Sequence, residues 1–138
     1  MLSLLYVDDK PEFLDLVKLF MAKRGLFSIS TCQSASEAIK DLSMNRYDVI
    51  ISDYYMPGMD GLAFLRTIRG MGDQTPFIMC TGFGGDSEEK EALGAGADFY
   101  IVKGGDSGVF FDLLCRAVST VMRNEGGRIG PDSARGPQ

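Results

Sequence analysis

Asp8, Asp9, Asp53, Thr81 and Lys103 share one trait: each stands where a short apolar run stops. SLLYV runs into Asp8-Asp9, DVIIS into Asp53, FIMC into Thr81 and DFYIV into Lys103. Short, apolar, β-branched runs of this kind read as strands buried on both faces of a parallel sheet. In such a sheet the carboxyl ends all point the same way, and open α/β sheets bind ligands there. Neighbouring strands lie about 4.8 Å apart, so acids ending the first and third strands, if those are neighbours, share a small volume and repel. A hard divalent ion with oxygen ligands, most plausibly Mg²⁺ keeping several waters, together with the Lys103 ammonium, balances the three carboxylates before any phosphate enters.

The segments between these runs supply the helices that hold them. Pro11 to Arg24 carries Phe13, Leu14, Val17, Phe20 and Met21 at helical spacing, with Asp9 and Glu12 spaced as a capping box and Gly25 as the stop. Phe27 to Cys32 is a more polar strand, suited to an edge. Ser34 and Glu37 form a second capping box for a helix running to about Met44. After Asp53, Pro57, Gly58 and Asp60-Gly61 force a turn, and Asp60 is placed to cap a helix from Gly61 to about Arg69 carrying Leu62, Leu65 and Ile68. Asp86 with Glu89 is expected to cap a short fourth helix that ends near Gly94 and Gly96, poor in apolar residues and the least firmly docked. A last helix from about Ser107 to Arg123 carries Phe110, Leu113, Leu114, Ala117, Val118 and Val121. Residues 124–138 turn to Gly, Pro, Ser, Arg and Asp, and read as a flexible linker or disordered tail after a single domain of residues 1–123.

Composition removes several functions. In 138 residues, 45% apolar and 24% charged, there is enough core for one domain without disulfides. No apolar run reaches the length of a membrane span, and a cytoplasmic location without membrane partner is expected. The net charge of −5 offers no attraction to a phosphate backbone, which argues against direct nucleic-acid binding. Cys32, Cys80 and Cys115 are far apart and in apolar settings, so they read as reduced core residues. Histidine is absent, so any phosphohistidine must belong to a partner.

The DD pair at Asp8-Asp9, the DYYMPGMDG run from Asp53 to Gly61, Thr81 after the fourth strand and GAGADFYIVK ending in Lys103 together resemble the receiver domain of two-component response regulators, over about residues 3 to 122. Each motif alone is weak, whereas all of them in this order and spacing are specific. The resemblance implies an α/β, flavodoxin-like fold: one doubly wound five-stranded parallel sheet of order 2-1-3-4-5 with five helices. It implies that Asp53 is the phosphoacceptor, taking a phosphoryl group from a sensor histidine kinase or histidine phosphotransfer protein. Asp9, Asp53 and the Tyr55 backbone carbonyl would then bind Mg²⁺ directly, with Asp8 acting through water and Mn²⁺ as a substitute. Phosphoryl transfer is mainly in-line positioning and neutralisation of equatorial oxygens, roles that suit Mg²⁺, Lys103 and the Thr81 hydroxyl.

Tyr100 resembles the aromatic that rotates with Thr81 in the family's switch, and the face of the fourth helix, fifth strand and fifth helix is the family's usual dimer or target surface. The resemblance thus implies a phosphoacceptor signalling domain, not classed as an enzyme although it catalyses its own phosphorylation and slow dephosphorylation. A downstream effector and a phosphorylation-dependent homodimer are further expectations. Tyr55 and Phe83, two residues beyond Asp53 and Thr81, stand where the family tunes water access, and their bulk implies a long-lived phosphoryl group. One departure is Gly104, where the family usually has proline; glycine leaves the loop 104–108 mobile before phosphorylation. Other classes fit less well: a haloacid dehalogenase-type phosphatase needs D-x-D, but position 55 is Tyr, and a flavodoxin needs a hydroxyl-rich loop where DDKPE stands. A receiver-like interaction module that is never phosphorylated is the alternative.

Overall fold

In the computed structural model of the chain, residues 1–25, 27–82 and 84–127 are described, the last four by their helical backbone alone. Five strands alternate with five helices: β1 (Leu2–Val7), α1 (Pro11–Lys23), β2 (Phe27–Cys32), α2 (Ala35–Leu42), β3 (Val49–Asp53), α3 (Gly61–Gly70), β4 (Phe77–Thr81), α4 (Asp86–Gly94), β5 (Phe99–Val102) and α5 (Ser107–Gly127). The strands pair in parallel in the order β2-β1-β3-β4-β5, with the polar β2 at an edge. Helix α5 runs on to Gly127 rather than stopping at Arg123, and residues 128–138 of the expected tail lie outside the described residues, as does Phe83.

Alternation along the strands divides the core. Tyr6, Ile51, Ile78, Cys80 and Ile101 face α1 and α5, while Leu5, Val7, Ile50, Phe77 and Met79 face α2, α3 and α4. Every residue of β3 and β4 is buried, which explains why these strands show no polar alternation.

Helix ends follow the sequence in two places and depart from it in two. Asp60 accepts from the Ala63 amide at 2.8 Å, and Ser34 accepts from the Glu37 amide at 3.1 Å while the Glu37 carboxylate reaches back to the Gln33 amide at 2.9 Å. The expected Asp9–Glu12 box does not form. Lys10 is the N-cap residue without a side-chain cap, and its own amide donates to Asp8 Oδ1 at 2.9 Å. Pro11 brings no N–H to satisfy, and Asp9 is left to join the other acids. Likewise Asp86 does not cap α4: Gly85 holds the N-cap position, and Asp86, Glu88 and Glu89 fill the first turn, where negative charge meets the positive end of the helix. Ala92 is the buried residue of α4. On α5, Leu113 is 43% exposed and Phe111 takes its expected place in the core. Leu113 falls about 100° from the centre of the buried stripe, at its border.

Candidate functional site

The register of the sheet decides which strand-end groups can meet. Tyr6 lies beside Ile51 and Val7 beside Ser52, so Asp8 follows β1 at the level where Asp53 ends β3. Asp53 pairs with Cys80, and Cys80 with Ile101, which puts Lys103 two residues further on along the same face. Its side chain therefore has to lean back over the end of β4 to reach the acids. It does: Lys103 Nζ lies 3.0 Å from Asp8 Oδ2 and 3.1 Å from Asp53 Oδ1. Carboxylate oxygens of Asp8, Asp9 and Asp53 all lie within 4.8 Å of one another. Asp8 has no exposed surface, Asp53 is 4% exposed, and Asp9 is partly open to solvent.

Burial governs the charges here. Loss of water raises the Asp53 pKa above the ordinary carboxylate value; Lys103 opposes this and the neighbouring Asp8 adds to it. Burial alone would lower the Lys103 pKa, but Asp8 and Asp53 together outweigh it and hold the ammonium above its ordinary value. The lysine is thus a fixed cation, and with the exposed Lys10 ammonium 3.5 Å from Asp9 Oδ1, two positive charges face three acids. This oxygen-only donor set, short of positive charge, fits a small hard cation such as Mg²⁺.

Two supports of this cluster were not legible in the sequence. The Lys103 ammonium sits 4.4 Å from the centre of the Phe13 ring, so α1 gives it an aromatic floor as well as two acids. Gly61 opens α3 directly under the turn after β3: a β-carbon there would stand 2.2 Å from the backbone oxygen of Asp53. Only a residue without a side chain lets the helix start so close to the acid.

Thr81 ends β4 fully buried, and its carbonyl accepts from the Lys103 amide at 2.6 Å. Tyr100 lies on β5 opposite Met79, on the α2–α4 face, and its hydroxyl donates to Glu88 Oε1 at 3.1 Å. Tyr55 is half exposed beyond β3, and its hydroxyl donates to Glu88 Oε2. Asp8, Asp9, Asp53, Thr81 and Lys103 are therefore together at one end of the sheet, with Tyr55 and Tyr100 joined beside them by a glutamate that the sequence did not single out.

Comparison with known proteins gives a family match. The family model for the response regulator receiver domain matches residues 4–114.

The chain belongs to the response regulator receiver domain family. Receiver domains are signalling modules of two-component systems, whose partners are histidine kinases. Among curated relatives, the transcriptional regulatory protein YvrH of Bacillus subtilis is 35% identical over 101 residues, covering 73% of this chain and 42% of the relative. The response regulator MprA of a Mycobacterium species is 32% identical over 130 residues, covering 94% of this chain and 54% of the relative. The chain thus spans about half the length of these relatives. Among solved structures, the receiver domain of the Francisella response regulator 1452 superposes with a TM-score of 0.79 at 25% identity, covering 89% of this chain and 98% of that one. The response regulator TrrA of Thermotoga maritima, solved in complex with Mg²⁺ and beryllium fluoride, gives 0.72 at 27% identity, covering 85% and 99%.

Proposed function

We propose that this receiver domain takes a phosphoryl group from a partner phosphohistidine onto Asp53. The observation that supports it is the Asp8–Lys103–Asp53 contact at the carboxyl end of the sheet, with Asp9 completing an oxygen cluster. An Asp53 carboxylate oxygen attacks phosphorus, the P–N bond to the partner's imidazole breaks, and the imidazole leaves with the electron pair and takes a proton. Lys103, held charged by its two acids, pairs with an equatorial phosphoryl oxygen as the phosphoryl group moves onto Asp53. The Thr81 hydroxyl, at the end of the neighbouring strand, donates to another.

Asp9, Asp53 and the Tyr55 carbonyl would hold Mg²⁺, with Asp8 reaching it through water; the TrrA complex supports this assignment by likeness. When bound, the ion neutralises phosphoryl oxygens and brings them to the acids. Mn²⁺, of similar ligand preference, would substitute. Among the described residues no helix is long and apolar enough to cross a membrane, in keeping with a cytoplasmic place beside a sensor kinase or phosphotransfer protein. We take residues 1–123 as the receiver unit, able to pass its state to an effector or to a second copy through the face of α4, β5 and α5.

Acetyl phosphate with Mg²⁺ should add the mass of one phosphoryl group to the intact chain, and Asp53→Ala should abolish the gain. Equal uptake by the variant would overturn the assignment of Asp53. The bulk of Tyr55 implies a long-lived phosphoryl group; decay within a few seconds in the purified protein with Mg²⁺ would count against that part.

A further inference from the structure

Lys103 bridges the end of β4 on the α1 and α5 side of the sheet, and Glu88 bridges it on the other. β4 lies between β3 and β5, so Tyr55, just beyond β3, and Tyr100, on β5, belong to strands about 10 Å apart. Glu88, in the first turn of α4, spans them: its Oε2 accepts from the Tyr55 hydroxyl and its Oε1 from the Tyr100 hydroxyl at 3.1 Å. Both oxygens of one carboxylate are engaged, and β4, which ends in Thr81, lies between β3 and β5. The tie is not a by-product of core packing, since Tyr55 is half exposed and Glu88 is partly open to solvent. The Tyr100 hydroxyl, its pKa pushed up to about 12 by burial and then by Glu88, keeps its proton and stays a donor at neutral pH. α4 has no side-chain cap and buries Ala92, and the two hydrogen bonds of Glu88 tie its first turn to Tyr55 and Tyr100.

We propose that Glu88 is a positioning residue for the phosphorylated site: it holds Tyr55 across the Thr81 end of the cleft as a screen against water, and ties that screen to Tyr100. This rests on Asp53 being the phosphoacceptor. A glutamate with both oxygens occupied links the residue two beyond the acceptor with the aromatic on β5, so loss of either hydrogen bond loosens the hold on the other ring.

The test loads wild type, Glu88→Ala, Glu88→Gln, Tyr55→Phe and the Glu88→Ala/Tyr55→Phe pair from acetyl phosphate with Mg²⁺, then follows loss of phosphoryl mass. Glu88→Ala and Tyr55→Phe should each decay roughly threefold to tenfold faster than wild type, the worth of one hydrogen bond. The double variant should decay no faster than the faster single, because both changes break the same contact. Glu88→Gln, which keeps one acceptor oxygen, should recover part of the lifetime. Decay in Glu88→Ala equal to wild type, or effects that multiply in the pair, overturns the screen. A wild-type chain that takes up no phosphoryl group overturns the acceptor reading and the screen with it. The tie is read separately by ring NMR signals of Tyr55 and Tyr100 in the unloaded protein: both should shift in Glu88→Ala, and unchanged signals overturn it.

Discussion

Asp8 is wholly buried, Asp53 nearly so, and Lys103 is the cation both touch. Removing one partner of a buried pair leaves the other charge without compensation, which costs more than the pair contributes. Lys103→Ala should therefore lower unfolding stability by about 3 kcal/mol without divalent ions. Mg²⁺ should restore more stability to the variant than it adds to wild type, as read by urea unfolding. A variant as stable as wild type in chelator would contradict this account. Asp53→Asn should move stability the other way. Burial first, and then Asp8, raise the Asp53 pKa despite Lys103, so the folded state holds this proton more tightly than the unfolded chain. The stability it lends is fully present below the ordinary value of 3.8 and is lost as pH rises through the raised value. At neutral pH without Mg²⁺ the amide should thus be more stable than wild type, an advantage that shrinks as the solution is acidified. An advantage that grows in acid would show the sign to be wrong.

Four of the five strands were legible because each is a short apolar run with a polar stop, and the register then forces Asp8, Asp53 and Lys103 onto one face. Caps were less legible. Asp9 and Asp86 have the spacing of capping residues, but one is drawn into the acid cluster and the other lies inside its helix, outcomes that depend on groups far along the chain. Glu88 could not be found from spacing at all, since its partners stand 33 and 12 residues away and meet it only once α4 is docked. Gly61 was read as a turn residue, whereas the structure needs it for space: an added methyl would meet the Asp53 carbonyl and the Met79 sulfur. Gly61→Ala should cost about 3 kcal/mol, measured by the urea midpoint, and should depress phosphoryl uptake by shifting Asp53. An unchanged midpoint would mean that the turn gives way freely. For α4, with Ala92 as its buried residue, amide hydrogen exchange in the unloaded protein should outpace that of α3, which buries Leu62, Phe64, Leu65 and Ile68. Residues 104–106, the part of the expected loop that lies ahead of α5, should join α4 in fast exchange, for Gly104 and Gly105 impose little conformational restraint; protection there equal to that of β4 would argue for a rigid connection.

Across the molecule, polar chemistry is concentrated at one end of the sheet, and the flank of β5 and α5 carries several exposed apolar side chains. Val102, Val109 and Leu113 are exposed by 47%, 58% and 43%, and a groove of about 470 Å³ runs between β5 and α5, with Phe99, Leu113 and Ala117 among its walls. The sequence placed Leu113 in the core because its spacing is nearly right for the buried stripe; its exposure makes it part of this flank instead. Tyr100 belongs to both regions, since its hydroxyl meets Glu88 beside the site and the residue is also among those lining the groove. A change at the acceptor that moves Tyr100 therefore alters the surface a partner would meet. A second copy is the simplest such partner, because joining two flanks would bury the exposed side chains of both. With Mg²⁺ and beryllium fluoride the chain should shift toward a dimer in sedimentation velocity, and Leu113→Asp should weaken that dimer at least about tenfold by putting a charge into its apolar centre. The same variant should bind beryllium fluoride as wild type does, because Leu113 touches none of the acids. A chain that stays monomeric when loaded, or a Leu113→Asp variant that dimerises as readily, would leave the flank to a partner other than itself.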